Sequence, residues 1–304
     1  MIPTATEQLL KEVSRSFYLS LRLLPAMMRR AAAHGYLLAR ASDTIADVAA
    51  PAEIRLSALD SFVAALDGNA PTAVPDALAC RISHPGEVRL IELLPDLLRD
   101  LSKLPATEAA LVREVVTIIT GGQRFDITRF EGGGNAKVVA LADDAELDDY
   151  TWRVAGCVGA FWTDLGFLTM GERFSRAEPT NLRRLGIDFG KGLQLVNILR
   201  DLPEDFARGR CYLPVADPAD SAAVMQARER FLGLAATRMD EGIVYARSLE
   251  SKRLRVSAAL PAMIGRETIA LMKDASWETL EAGVKIPRSR VYQLLLRAFA
   301  GRFG

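Results

Sequence analysis

Long stretches of the chain carry apolar residues at intervals of three and four positions, the spacing that places them on one face of an α-helix. Alternating runs rich in Val, Ile and Thr, which indicate strands, are few. Alanine and leucine are abundant, and both favour helix. The sequence therefore predicts an all-α fold whose longest helices cover residues 108–130, 148–170, 181–200 and 224–248.

Glycine and proline cluster at residues 67–86, 131–135 and 209–219, where we expect breaks between helices. None of these segments is long or polar enough to be a linker, and no internal repeat of fixed period is present. The glycine run at residues 132–134 lacks the preceding strand and the Lys-Ser/Thr ending of a phosphate-binding loop, so it predicts a plain turn. We therefore predict a single domain over residues 1–304.

The balance of charges argues against a nucleic-acid partner, because Lys and Arg number 38, the same as Asp and Glu. Cys80, Cys157 and Cys211 have no close spacing, which argues against a disulfide framework or a zinc site and suits a reducing compartment. The first residues lack the features of a secretion signal. No run approaches the ~20 apolar residues that a membrane span needs. We expect a cytoplasmic protein.

Two pairs of aspartates stand at helical spacing. Asp43 and Asp47 lie near the start of the chain, and Asp201 and Asp205 repeat the spacing two thirds of the way along it. Residues four apart share one helix face, so each pair can direct two carboxylates into one cavity, where their repulsion needs a cation to offset it. Mg²⁺ prefers oxygen ligands and usually binds one or two carboxylates together with the phosphate oxygens of a substrate.

A solvated helix face would explain either pair taken alone. Each pair, however, follows an apolar segment that we expect to be buried helix, residues 36–42 and residues 192–200. Carboxylates at the end of a buried helix face usually have a partner. The two pairs together therefore predict one acidic metal site.

Arginines accompany both pairs: Arg40 precedes Asp43, Arg200 precedes Asp201, and Arg210 follows the second pair. A guanidinium fork binds phosphate oxygens bidentately, so these side chains suit a phosphorylated substrate. The segment Ser14-Arg15-Ser16 is compatible with the same role, although taken alone it equally indicates a helix N-cap.

The sequence offers no obvious nucleophile to attack a metal-bound diphosphate, which suggests that the diphosphate is a leaving group. Aromatic rings could then line an apolar pocket and stabilise a carbocation by cation-π attraction. Core packing explains any single ring as well. The candidate rings are Phe17, Tyr18, Tyr36, Phe125, Phe130, Tyr150, Phe161 and Trp162.

Four ordered segments resemble the squalene and phytoene synthases, which join two prenyl diphosphates head to head. The segments are residues 14–17, 36–47, 150–159 and 194–214. The resemblance implies a single-domain, all-α class I isoprenoid synthase bundle with a central apolar cavity. It also implies Mg²⁺ as cofactor, with the two acidic segments facing each other across the mouth of the cavity.

The resemblance further implies roles for individual residues. The implied metal ligands are Asp43, Asp47, Asn197, Asp201 and Asp205. The implied diphosphate-binding residues are Ser14, Arg15, Ser16, Arg40, Gln194, Arg200 and Arg210. The implied catalytic residues are Phe17 near the prenyl chain, Tyr150 near the departing diphosphate or the cation, Arg40 and Arg200.

The implied reaction has two halves. One farnesyl diphosphate ionises and the double bond of a second attacks the allylic cation, which gives presqualene diphosphate. This compound ionises and rearranges, and hydride from NADPH quenches the cation to give squalene, the product that Thr44 favours by resemblance. Proton loss would instead give dehydrosqualene or phytoene, and a relative can stop at presqualene diphosphate. No dinucleotide fingerprint is present, so Lys285 and Arg288 are candidate NADPH-binding residues by resemblance alone.

Two positions depart from the family pattern. Ala46 stands where squalene synthases often carry an acidic residue, so one outer ligand is expected to be missing. Pro203 lies inside the second acidic segment, and a proline in a helix interior costs about 3 kcal/mol. We predict that the helix kinks or ends near Asp201, which changes the direction of Asp205.

Other interpretations stay open. A di-iron oxygenase would use Glu-x-x-His pairs, which His34 and His84 do not provide. A non-catalytic helical prenyl-binding protein would show no Mg²⁺-dependent release of diphosphate. The amphipathic segment 290–300 could touch a membrane surface, although packing on the core is the commoner arrangement. The sequence does not determine the oligomeric state.

Overall fold

The computed structural model describes residues 4–13, 17–68, 74, 76–131 and 137–303. The chain divides into two compact units, one of Met1–Thr128 with Asp164–Met170 and the other of Arg129–Thr163 with Gly171–Gly304. Helices dominate both units, which confirms the all-α fold. The single domain stays a prediction.

The first unit is built around one long buried helix, α3, whose neighbours include α4, α6 and α7. Leu37, Leu38 and Ala41 in the middle of α3 have no exposed surface. This burial holds the last turns of α3, which contain the first acidic pair, in a defined position. The helices are α1 (Thr4–Val13), α2 (Phe17–Leu23), α3 (Ala26–Asp47), α4 (Ala52–Leu66), α5 (Asp76–Ala79), α6 (Pro85–Glu92), α7 (Leu94–Leu101) and α8 (Ala106–Arg129).

The second unit packs helices α11, α13 and α14 against one another and adds a small sheet. Its helices are α9 (Asp144–Thr151), α10 (Cys157–Met170, shared with the first unit from Asp164 onward), α11 (Pro179–Arg200), α12 (Leu202–Ala207), α13 (Ser221–Arg247), α14 (Lys252–Met272), α15 (Trp277–Glu281) and α16 (Arg288–Phe299). A π-helical turn, Trp152–Gly156, joins α9 to α10, and a 3₁₀ turn, Gly171–Arg173, follows α10.

Three of the four predicted long helices are confirmed, and each begins two or three residues earlier than the apolar spacing predicts. Capping explains the earlier starts of α11 and α13. The Glu178 carboxylate accepts from the backbone N–H groups of Thr180 and Asn181, and the Asp220 carboxylate does the same ahead of α13. Such side chains satisfy donors that the first helical turn leaves free.

The fourth predicted helix, residues 148–170, is interrupted by the π-helical turn. The turn lies where the backbone of α11 comes very close to it. A Cβ atom added to Gly190 would lie less than 3.0 Å from the carbonyl oxygen of Ala155. Apolar spacing is blind to this change of helical pitch, because a π turn inserts a single residue.

The contact of α10 with α11 is made directly between backbones. A Cβ atom added to Gly159 would lie less than 3.0 Å from both the carbonyl carbon and the carbonyl oxygen of Gly186. Glycine is therefore required at position 159 by packing rather than by its backbone conformation. The seam holds α10 against the helix that ends at the second acidic pair.

The second unit also contains two short parallel strands, β1 (Val139–Leu141) and β2 (Arg210–Pro214). Val139 pairs with Arg210 and Ala140 with Cys211, and an irregularity follows before Leu141 pairs with Pro214. A break between helices was expected over residues 209–219, and the first half of it, residues 210–214, is in fact strand. Strands this short have too few residues for an alternating pattern to be detected.

Pro203 stands at the start of a helix and not inside one. Helix α11 ends at Arg200, Asp201 is the junction residue, and α12 begins at Leu202 with Pro203 in its first turn. The predicted break near Asp201 is confirmed. The cost of about 3 kcal/mol does not apply here, because the first turn needs no N–H from this residue.

Replacing Pro203 with alanine is therefore expected to destabilise the fold by only about 0.5–1 kcal/mol, chiefly because the unfolded chain gains freedom. The urea midpoint of the variant measures this. A loss of about 3 kcal/mol or more would show that the break depends on the proline.

One helical run, Asp144–Arg173, is long and apolar enough to cross a bilayer, and 39% of its most apolar stretch is buried. This corrects the expectation that no run comes near that length. A single such run is weak evidence for a membrane span, because a core helix of a soluble protein meets the same criteria.

The thiols of Cys80, Cys157 and Cys211 are free. Cys157 and Cys211 are buried and Cys80 is exposed. Burial raises the pKa of Cys157 to about 12 and that of Cys211 to about 11, so both stay protonated.

Candidate functional site

The first acidic pair lies in the last turns of α3, in the first unit. Asp43 keeps 44% of its side-chain surface exposed, and Asp47 is exposed. Desolvation of the half-buried carboxyl group and, second, the charge of Asp47 raise the pKa of Asp43 to about 6. The C-terminal end of a helix carries partial negative charge, which adds to this repulsion. A cation at this position would relieve it.

Arg40 lies one turn before Asp43 and has two acidic neighbours. Its Nη2 is 2.5 Å from the Glu87 carboxylate on α6, and its Nη1 is 3.8 Å from Oδ2 of Asp43. Its Nε is buried and has no hydrogen-bond partner among the residues that the structure describes. A buried N–H of this kind is a donor for which a ligand oxygen would be a suitable acceptor.

Asp43 also accepts a hydrogen bond from a neutral donor. Nε2 of Gln123, on α8, donates to Oδ1 of Asp43, and the hydroxyl of Ser42 donates to Oε1 of Gln123. Neither Gln123 nor Glu87 was predicted from the sequence to lie at the site. They lie 80 and 47 residues from their partners, so no local spacing connects them.

The second acidic pair lines a pocket of about 180 Å³ in the second unit. Five predicted site residues from two of the four segments selected in the sequence, residues 150–159 and 194–214, meet in its wall. The lining is mostly polar and comes from α9, α11, α12, β2 and the residues between them. It consists of Tyr150, Gln194, Asn197, Ile198, Asp201, Glu204, Asp205, Arg208 and Tyr212.

The helix break at Pro203 determines how Asp201 and Asp205 are presented. Asp201 stands at the C-terminal end of α11, and Asp205 lies in the first turn of α12. The backbone N–H of Asp205 donates to the carbonyl of Asp201 over 3.0 Å. A carboxylate in a first helical turn is favoured by the helix dipole, whereas one at a C-terminal end is not.

Arg200 binds the Asp201 carboxylate bidentately, with distances of 2.7 Å from Nε and 2.6 Å from Nη2. The hydrogen bond to Asp201 raises the pKa of Arg200, so the guanidinium stays charged. Arg200 therefore compensates the charge of Asp201 where no other cation is bound. Any ligand that takes Arg200 must share or displace this contact.

Three aromatic rings lie together at the pocket. Tyr150 stacks on Tyr212 with ring centroids 4.8 Å apart, and Phe130 meets Tyr212 edge-on at 5.0 Å. All three residues are buried. Stacking holds the Tyr150 ring in one orientation at the wall of the pocket. Tyr212 was not predicted from the sequence to lie at the site, because its partners Phe130 and Tyr150 lie in other segments of the chain.

Arg208 is a basic pocket residue that the sequence analysis missed. Its Nη2 donates to the Glu204 carboxylate over 2.7 Å, one helical turn away on α12. The sequence offered one signal for it, because Glu204 and Arg208 stand four residues apart, a spacing at which opposite charges pair on a helix. The pair places one positive and one negative charge at the rim, since both side chains are exposed.

Several predicted site residues are not brought into this pocket. Its described lining includes neither Arg200 nor Arg210, and it includes neither Lys285 nor Arg288, which are exposed. Arg210 lies at the start of β2. Ser14, Arg15 and Ser16 lie outside the described residues, and of Phe17 only its place at the start of α2 is described.

The oxygen donors fit a hard cation such as Mg²⁺, since Asn197, Asp201, Glu204 and Asp205 offer amide and carboxylate oxygens in one pocket. Within the described part of the chain, no three His, Cys, Asp or Glu side chains are grouped closely enough to hold a metal ion. Asp43 and Asp47 belong to the first unit and the other three predicted ligands to the second. The shared metal site therefore stays a prediction.

Comparisons with known proteins agree on one family. The sequence matches the Squalene/phytoene synthase family over residues 10–290. It is 28% identical over 213 residues to a 15-cis-phytoene synthase of Synechocystis, covering 69% of this chain and 55% of that protein. It is 32% identical over 202 residues to a presqualene diphosphate synthase of Rhodopseudomonas palustris, covering 66% and 58%.

The fold is shared with solved structures as well. A structure of TcSQS with the ligand E5700 superposes with a TM-score of 0.77 over 98% of this chain and 87% of that one, at 23% identity. At this identity the likeness shows the fold alone. The chain spans little more than half of the length of the curated relatives that it matches.

Proposed function

The chain belongs to the squalene/phytoene synthase family, and we propose that it joins two prenyl diphosphates head to head with release of diphosphate. One observation carries the proposal: two separate segments of the sequence meet in one pocket, which is lined by Tyr150 from the first and by Gln194, Asn197, Asp201 and Asp205 from the second. The names of the relatives, phytoene synthase and presqualene diphosphate synthase, support the same class of reaction.

The proposed Mg²⁺ ligands are Asn197, Asp201 and Asp205 in the second unit, and Asp43 and Asp47 in the first. Bound Mg²⁺ would supply positive charge that stabilises a departing diphosphate. The carboxylates at the ends of α3 and α11 support this assignment, because each lies at the negative end of a helix.

The arginines are proposed to bind and orient the diphosphate. Arg40 offers a buried Nε donor, and Arg200 can exchange one of its two bonds to Asp201 for a ligand oxygen. Arg208 lies at the rim of the pocket and is also proposed to bind the diphosphate. Arg15 and Arg210 are proposed diphosphate ligands by resemblance.

Tyr150 is proposed to lie against the reacting carbon atoms. Its ring is fixed by the stack on Tyr212 and is almost wholly buried. A ring face next to a developing carbocation stabilises it, and a dry wall keeps water from trapping it as an alcohol.

We propose farnesyl diphosphate as the substrate and squalene as the product. In the first step the two farnesyl groups become joined by carbon–carbon bonds that close a cyclopropane ring, and one diphosphate and one proton leave. In the second step the diphosphate of presqualene diphosphate leaves and the cation rearranges; NADPH, when bound, would supply the hydride that quenches this cation and would be released as NADP⁺. Lys285 and Arg288 are the proposed NADPH contacts, supported by their exposed positive charge.

Product analysis tests the reaction and separates its variants. The purified chain is incubated with Mg²⁺ and farnesyl or geranylgeranyl diphosphate, with and without NADPH. Squalene that requires NADPH supports the full proposal. Presqualene diphosphate or dehydrosqualene from farnesyl diphosphate, or phytoene from geranylgeranyl diphosphate, would restrict it to condensation without hydride transfer. Binding of substrate without release of diphosphate would support the prenyl-binding alternative instead.

Contact with an anionic membrane surface is a further part of the proposal. Tyr292 and Leu296 on α16 are 60% and 70% exposed, and Lys285 and Arg288 lie exposed beside them in the sequence. Exposed apolar side chains next to basic ones suit the interface of an anionic bilayer. The free thiols support a cytoplasmic location for this contact. Flotation with anionic and neutral vesicles tests this contact, and the wild-type chain should float with the anionic vesicles. If Leu296→Gln floats with them to the same extent as the wild type, the proposed contact is wrong.

A further inference from the structure

We propose that Gln123 is a positioning residue, which orients the carboxylate of Asp43 by a neutral hydrogen bond. The inference rests on the proposed function, since it concerns the use of Asp43 as a metal ligand. Gln123 lies on α8 and is 8% exposed. Its Nε2 donates to Oδ1 of Asp43 on α3. Both residues belong to the first unit.

The orientation of the Gln123 amide follows from the hydrogen bonds behind it. The Ser42 hydroxyl donates to Oε1 of Gln123, which leaves the amide NH₂ group to face Asp43. Thr120 continues the chain, with its Oγ1 3.2 Å from the Ser42 oxygen and 2.8 Å from the carbonyl of Val116. Its single proton serves one of these two acceptors.

These hydroxyl groups belong to the interior and are not on the surface. Ser42 and Thr120 have no exposed surface at all. A buried polar group without a partner costs about 1–3 kcal/mol. Burial therefore keeps the hydrogen bond from Ser42 to Gln123 in place whichever acceptor Thr120 uses, and this bond limits how the Gln123 amide can be presented to the Asp43 carboxylate.

The neutrality of Gln123 is what suits it to this task. Its amide occupies Oδ1 of Asp43 without compensating the negative charge, whereas Oδ2 faces Arg40 at 3.8 Å. A lysine or arginine at position 123 would bind the same oxygen and weaken the attraction for a cation. An amide orients the carboxylate and leaves its charge available.

Gln123→Met tests the inference, because methionine has nearly the same shape and cannot donate. Partners that orient metal ligands typically change metal affinity or activity by about 10–100-fold when they are removed. We therefore expect Mn²⁺ to bind the metal-free chain about 10–100-fold more weakly in the presence of inorganic diphosphate. Mn²⁺ electron paramagnetic resonance measures the free ion, and circular dichroism measures the thermal midpoint.

Gln226→Met, at an exposed position on α13, is the matched control and should bind Mn²⁺ as the wild type does. Ser42→Ala removes the group that orients the amide, so it should weaken Mn²⁺ binding in the same direction. It also decides the question if Gln123→Met fails to fold. If folded Gln123→Met or Ser42→Ala binds Mn²⁺ with wild-type affinity, the role of Gln123 is overturned and the proposed metal site is unaffected. Absence of Mn²⁺ binding by the wild-type chain overturns the inference together with the proposed metal site.

Discussion

Replacing Asp201 with asparagine is expected to lower kcat for release of diphosphate about 1000-fold, equivalent to about 4 kcal/mol of transition-state stabilisation. Asparagine keeps the shape of the side chain and removes its charge. Asp201 lines the polar pocket at the end of α11, where the proposed cation would bind. Release of diphosphate from farnesyl diphosphate at saturating Mg²⁺ measures the effect.

The fold should survive this change. Arg200 and Asp201 are 33% and 39% exposed, and half-exposed ion pairs contribute only about 0–1 kcal/mol. The asparagine oxygen can still accept one of the two hydrogen bonds from Arg200. A thermal midpoint close to that of the wild type would therefore accompany the loss of activity.

Asp240→Asn provides the matched control, since it removes the same charge from an exposed aspartate that is paired with Arg266 and does not line the pocket. It should leave kcat within about twofold, which corresponds to less than 0.5 kcal/mol. If Asp201→Asn retains kcat within tenfold of the wild type, Asp201 does not bind the catalytic cation and the assignment of the second acidic pair is wrong.

Replacing Gly159 with alanine is expected to destabilise the second unit by about 3 kcal/mol or more. The added Cβ atom would lie less than 3.0 Å from the backbone carbonyl of Gly186, and backbone cannot rotate away as a flexible side chain can. Helices α10 and α11 would have to separate. Urea unfolding followed by circular dichroism measures the loss.

Gly233→Ala is the matched control for this prediction. Gly233 lies in the interior of α13, and a Cβ atom there would meet nothing within 4 Å. Alanine is the better helix former, so this variant should gain about 0.5–1 kcal/mol. Equal effects of the two substitutions would show that helix propensity, and not the close approach of α10 and α11, governs position 159.

Local patterns were sufficient wherever the determining residues are neighbours in sequence. Three long helices, α8, α11 and α13, followed from apolar spacing, and the break at Asp201 followed from Pro203 two residues later. The starts of α11 and α13 were placed slightly late because the capping carboxylates of Glu178 and Asp220 precede the apolar pattern.

The surroundings of the site could not be predicted in this way. Glu87 beside Arg40, Gln123 beside Asp43 and Tyr212 beside Tyr150 each lie far along the chain from their partner. Each is an ordinary residue in its own segment. Only packing of distant helices and of strand β2 gives it a partner of the right kind.

The amino-acid sequence alone determined the helical class, the family and the positions of both acidic pairs, because periodicity and motifs are properties of short, contiguous segments. The tertiary structure decided which charges and hydrogen-bond donors surround those carboxylates and where helices touch through glycine. These depend on atoms that are distant along the chain and are brought within a few ångström only by folding.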